Sequence, residues 1–134
     1  MNIQQILCGE NIIRDSENGQ VTVYNLLDDI SASSYPLLIP KFAIYFFVER
    51  DSKEDEVQKI NLKIFNNESP LFHDQIQINF NGKLRNRAVI KFNGLAVPSD
   101  GLLIIRVSNL KDEVLNECKI ILTLISKTPE VSTQ

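Results

Sequence analysis

Imidazoles, thiols, clustered carboxylates and clustered cations are the groups from which most sites are built, and this chain uses them sparingly. His73 is its single histidine. Its neighbours Phe72 and Asp74 supply no metal-ligand spacing, and one histidine with scattered carboxylates is a poor transition-metal set. A histidine-dependent nucleophilic triad has only this residue to draw on, without a Gly-x-Ser-x-Gly or Cys–His signature beside it. His73 therefore reads as a surface or strand-edge residue. No catalytic, cofactor-binding or metal-ligating set is expected, and a hydrolase is the weakest of the functional readings.

Cys8 and Cys118 are the only two cysteines. In a reducing cytosol they read most simply as free, partly buried thiols. They sit near opposite ends of the chain, where the first and last strands could be neighbours, so a disulfide is geometrically open. Asp28, Asp29, Asp51, Asp55 and Asp100 fall in predicted loops, where sandwiches of the C2 type bind calcium. Calcium takes about six to eight convergent oxygens, and the spacing here matches no such loop. Solvated turn residues are the expectation.

Lys83, Arg85, Arg87 and Lys91 share one strand face, with Lys59 and Lys63 available on a neighbouring strand. That stripe reads either as a site for phosphate or an acidic partner, or as the solvent face of a sheet whose edge it protects. No aromatic interleaves it and the net charge is −3, which argues against nucleic acid. The solvent-face reading is preferred.

The elements that would carry these groups are strands. A chain of 134 residues with 43% apolar and 23% charged residues is expected to be one domain with a real core. It spans residues 1–126, with a flexible tail over 127–134. The start of the chain shows no basic region followed by an apolar run. The apolar stretch from Tyr35 to Val48 is broken by Pro36, Pro40 and Lys41, short of the roughly 20 residues that cross a bilayer. A cytoplasmic protein with no membrane partner is expected.

Ile3 to Asp15 predicts a strand kinked at Gly9, where a bulge or a close backbone approach belongs. A turn at Asn18-Gly19 leads to a strand from Gln20 to Leu27. Asp28 to Pro40 reads as an irregular crossing between two sheets, given its two prolines. Phe42 to Val48 is the most apolar strand. The polar tip from Arg50 to Glu56 leads to Val57–Phe65, in which Ile60, Leu62 and Ile64 alternate with Lys59, Asn61 and Lys63, a half-buried pattern. A two-residue hairpin at Asn81-Gly82 would pair Phe80 with Lys83 and Ile78 with Arg85. A three-residue loop, Phe80-Asn81-Gly82, instead pairs Ile78 with Leu84 and Gln77 with Arg85, keeping each face uniform. Leu102–Ser108 and Glu117–Ile125 are the last strands. About eight strands with turn residues at nearly every junction predict an all-β, antiparallel sandwich, Ig-like or C2-like.

One strand does not fit a two-layer scheme with one wet face per sheet. Phe42, Ile44, Phe46 and Val48 lie on one side of it, and Ala43, Tyr45 and Phe47 on the other. Leu102–Ile105 and Ile120–Leu122 share the property. If the three strands lie in one sheet, Tyr45, Phe47, Leu102, Ile104 and Ile121 form an exposed apolar patch of the kind that marks an interface. The competing reading has Leu37, Leu38 and Ile39 of the 28–40 loop folding over that face.

The segment Gly94-Leu95-Ala96-Val97-Pro98-Ser99-Asp100-Gly101, with Cys8-Gly9-Glu10 and Tyr35-Pro36, resembles a family of small bacterial and phage-associated proteins known only as a domain of unknown function. The resemblance runs from about Ile6 to Leu124 and departs at Leu102–Ile105, where an aromatic is more usual after the glycine. It implies a β-sandwich and carries over no functional residues. The reading is a non-catalytic protein–protein interaction or assembly module, with self-association included. A module binding a sugar or a phosphorylated compound on the Lys83/Arg85/Arg87 face is the alternative.

Overall fold

A computed structural model of the protein describes residues 1–126, and the tail expected over 127–134 lies outside the described residues. The described chain is all-β. Eleven strands form, where about eight were expected, because two loops each contribute three- or four-residue strands. They are β1 (Asn2–Arg14), β2 (Val21–Leu26), β3 (Asp29–Ala32), β4 (Leu37–Ile39), β5 (Phe42–Glu49) and β6 (Val57–Asn66), followed by β7 (Ser69–Asn79), β8 (Arg85–Phe92), β9 (Leu95–Val97), β10 (Gly101–Ser108) and β11 (Val114–Leu124). These build a four-stranded sheet β2-β1-β5-β8, a five-stranded sheet β3-β11-β10-β6-β7 and a two-stranded ribbon β4-β9. Strand pairs are antiparallel except β3 with β11, which is parallel.

The two large sheets share one core, and period-2 alternation decides what enters it. Ile3, Ile6 and Cys8 come from β1, and Phe42, Ile44, Phe46 and Val48 from β5. Opposite them lie Ile60, Leu62 and Ile64 of β6, Leu103, Ile105 and Val107 of β10, and Ile120 and Leu122 of β11. Each such side chain contributes about 1.5–3 kcal/mol relative to exposure. Along the β7/β8 side the layers are joined by Phe72, whose ring meets Phe92 edge-on at 4.9 Å.

The 28–40 segment does cross between the sheets, since β2 belongs to one and β3 to the other. It does not fold over the outer face of β5. Ile39 joins the main core with Leu37 packed against it, while Leu38 is exposed.

The expected hairpin at Asn81-Gly82 is absent as a paired unit. β7 pairs with β6, whereas β8 pairs with β5 in the other sheet. The turn chemistry is there: Asn81 and Gly82 have φ of 51° and 78°, and Lys83 N donates to the Phe80 carbonyl at 3.0 Å. Phe80, however, is a buried core residue and not a loop tip. Alternation fixes which face a residue shows, not which strand lies beside it. Arg50 ties the crossing in place. It is 8% exposed and stacks at 5.5 Å on the Phe80 ring. Its Nε donates to the Lys83 carbonyl at 2.8 Å and its Nη1 to the Glu54 carbonyl at 3.0 Å. The residue at the start of the supposed polar tip is thus the buried tie between two loops.

Candidate interaction site

The outer face of the four-stranded sheet is built from Ala43, Tyr45 and Phe47 of β5 and Val89 of β8, with Leu7 beside them. It is covered by the chain's own β1–β2 hairpin. β1 pairs with β5 from Asn2 to Gly9, then leaves it and pairs with β2 from Gly9 to Arg14. Ile6 and Cys8 point into the main core, yet Ile12 lies in the outer cluster with Ala43 and Tyr45, so the alternation is out of phase on the two sides of Gly9. The kink expected at Gly9 is where this change occurs, while the register shift within β1 falls between Ile3 and Gln5. A side chain at Gly9 has no room: a Cβ there would stand 2.6 Å from Val23 Cγ1 and 2.9 Å from the Tyr24 carbonyl oxygen.

Val21 and Val23 of the hairpin pack on Tyr45 and Phe47 from above, and the hairpin turn is held by Arg87. Its guanidinium lies 5.5 Å from the Phe47 ring centre, with Nε donating to Tyr45 Oη at 3.1 Å and Nη1 to the Gly19 carbonyl at 3.4 Å. Arg85 pairs with Glu49 at 3.0 Å. Two members of the stripe Lys83, Arg85, Arg87 and Lys91 are therefore engaged by the protein itself, and Lys59 and Lys63 belong to the other sheet.

Leu102, Ile104 and Ile121 belong to the five-stranded sheet, so the patch drawn with Tyr45 and Phe47 does not exist as one surface. The two halves lie on opposite outer faces. On the five-stranded sheet, Leu102 stands directly opposite Ile121 and Ile104 directly opposite Phe65, which makes a continuous apolar row across three strands. None of the four joins a buried cluster, and Ile121 is 53% exposed. Charges border the row. Arg106 lies 5.0 Å from the Phe65 ring centre and its Nε donates to Glu117 Oε2 at 2.8 Å. Lys119 approaches Glu117 at 3.8 Å and Lys63 approaches Asp112 at 3.5 Å. Phe65 was missed in the sequence because it ends a strand read only for its inward residues, although it sits at the odd position that alternation sends outward.

His73 is exposed on edge strand β7, opposite Lys63. No three of the histidine, cysteine and carboxylate side chains converge among the described residues. An apolar cleft of about 300 Å³ opens where Leu27, Ile30 and the ribbon residues Leu37–Ile39 meet, with Glu10 and Lys41 at its rim. Its lining offers hydrocarbon contact and little to orient a sugar or a phosphate.

A model of a family of unknown function, DUF6941, matches residues 5–123. The chain belongs to that family. A search of the curated proteins finds no match. The three short motifs that carried the sequence resemblance have structural content at two of them. Gly9 is the close approach under the hairpin. Gly101 adopts φ of 119°, and a Cβ there would stand 2.2 Å from Asn67 Oδ1. That contact belongs to a clamp. Asn66, 2% exposed, donates to the Ser99 carbonyl at 2.9 Å and accepts from Ser99 N at 2.8 Å. Asn67 donates to the Asp100 carbonyl at 3.0 Å and accepts from Leu102 N at 2.9 Å. The β6–β7 turn thereby fixes where β10 begins, and with it the outward positions of Leu102 and Ile104. No helix of the described residues is long and apolar enough to cross a membrane.

Proposed function

We propose that this DUF6941 protein is a non-catalytic protein–protein interaction or assembly module, an Ig-like or C2-like scaffold, that docks through the outer face of its five-stranded sheet. The observation that carries the reading is the apolar row Leu102, Ile104, Phe65 and Ile121, to which the described chain adds no cover of its own. Apolar rows on a sheet face are costly to leave in water and mark interfaces when contiguous. A second copy of the chain is the partner that suits it first. The bordering cations Lys63, Arg106 and Lys119 each already have an acidic partner, so two copies can meet apolar centre on apolar centre with these charges paired within each copy. A cytoplasmic location fits two free cysteines.

Sedimentation velocity over micromolar concentrations tests this. The wild type is expected to sediment as a concentration-dependent dimer and Ile121→Asp as a monomer whose melting curve matches that of the diluted, monomeric wild type. A wild type that stays monomeric throughout, and whose captured protein partners are the same after Ile121→Asp, overturns it.

A further inference from the structure

The two thiols, far apart in sequence, meet in the fold. Cys8 is on the inner face of β1 and 1% exposed; Cys118 is on the inward-facing side of β11, half-buried and packed against the same core. The two strands belong to different sheets and approach closely along this side. Two residues before Cys118, Asn116 Nδ2 donates to the Ile3 carbonyl on β1 at 2.8 Å, so one side chain spans the gap between the layers. β3 pairs with β11 only from Ile121 to Leu124, which among the described residues leaves the edge beside Cys118 free of a neighbouring strand. The geometry is a reachable thiol in front and a buried thiol behind it.

We propose that Cys8 and Cys118 are a reversible dithiol–disulfide pair that staples the two large sheets when a peroxide oxidises it. The Cys118 thiolate attacks one peroxide oxygen, the O–O bond breaks, and hydroxide leaves, giving Cys118 sulfenic acid. The Cys8 sulfur then attacks the Cys118 sulfur; the S–S bond forms, the S–O bond breaks, and the Cys8 proton departs with the hydroxyl as water. In sum two thiols lose two electrons and two protons, and one hydrogen peroxide becomes two waters. The order of attack follows from the environments. A hydrogen bond from Cys8 holds the Cys118 thiol down at about 7 against the opposing effect of burial. The same contact, with burial second, pushes Cys8 up. The acidified, accessible thiol is the one peroxide meets first.

The test uses the full chain, reduced and then treated with hydrogen peroxide. Intact mass is expected to fall by about 2 Da, peptide mapping to link the Cys8 and Cys118 peptides, and the melting temperature to rise by about 5–10 °C, as suits a long closed loop. Dithiothreitol should reverse all three. In Cys8→Ser the same treatment should leave a sulfenic acid on Cys118 that dimedone traps. A wild type that gains oxygen on Cys118 with Cys8 still free, that links Cys118 between two chains, or that does not react overturns the proposal, and none of these readouts depends on the variant folding.

Discussion

The two outer faces of this molecule carry the same kind of residue and treat it in opposite ways. On the four-stranded sheet, Tyr45 and Phe47 lie under the β1–β2 hairpin, with Arg87 bonded to both the tyrosine hydroxyl and the hairpin turn. On the five-stranded sheet, Leu102, Ile104, Phe65 and Ile121 lie side by side and join no cluster. The difference shows that an apolar outer face is not by itself an interface. It becomes a candidate only when the chain has no segment to lay over it. A strand that is apolar on both sides reports that something covers its second face, and topology decides whether that something is local.

The contrast breaks most visibly at Ile12. This residue is 1% exposed, although it lies outside the main core and its contacts are Ala43, Tyr45 and their neighbours. If the hairpin is a genuine second core, Ile12→Ala should cost about 2–4 kcal/mol, the range of a core truncation. Urea unfolding measures it. A cost near zero would mean that the hairpin lifts away readily and that the first face is as available as the second.

Gly9→Ala should come next. The added methyl meets Val23 Cγ1 and the Tyr24 carbonyl oxygen at 2.6 and 2.9 Å, and a backbone atom cannot move aside as the end of a long side chain can. The expected cost is about 1–3 kcal/mol, again in urea unfolding. The loss should fall on the hairpin first, so amide exchange should speed up at Val21–Leu26 before it does at β10. Uniform acceleration would place the strain in the main core instead.

Much of this was legible in the sequence, for a physical reason. Alternation reports burial directly, so the inward set of β6, the turn residues, and the two-faced character of Phe42–Val48 could all be read from residue types. Pairing is different. Nothing local in Gln75–Asn79 or Arg85–Phe92 records that the chain changes sheets between them, because which strand each one pairs with, β6 and β5 respectively, is not set by its own residues. The same blindness merged Tyr45 and Phe47 with Leu102 and Ile104 into one patch. The covering hairpin was equally hidden. Val21 and Val23 look like any strand residues until β1 leaves β5 at Gly9 and carries them over Tyr45. The clamp of Asn66 and Asn67 on Ser99–Leu102 reads in sequence as an ordinary polar turn.

The smallest expected effect is the most informative, because it concerns the face that the described residues leave without a cover. Ile121 is 53% exposed, opposite Leu102 on one side and Asp29 on the other. About half of its surface stays in water after folding, so its removal takes less from the folded state than a core truncation does. Ile121→Ala should therefore change stability by no more than about 0.5 kcal/mol, as for surface substitutions away from any special feature. Beside Ile12→Ala the two isoleucines would differ severalfold for the same chemical change, one placed under the hairpin and one on the open row. The measurement must be made well below the concentration at which copies associate, since an association that buries Ile121 adds its own stabilisation to the wild type by mass action. A cost that is near zero when dilute and grows with protein concentration is the signature of an interface. A cost above 1 kcal/mol at every concentration would mean instead that Ile121 is covered within the monomer, and the two faces would no longer differ.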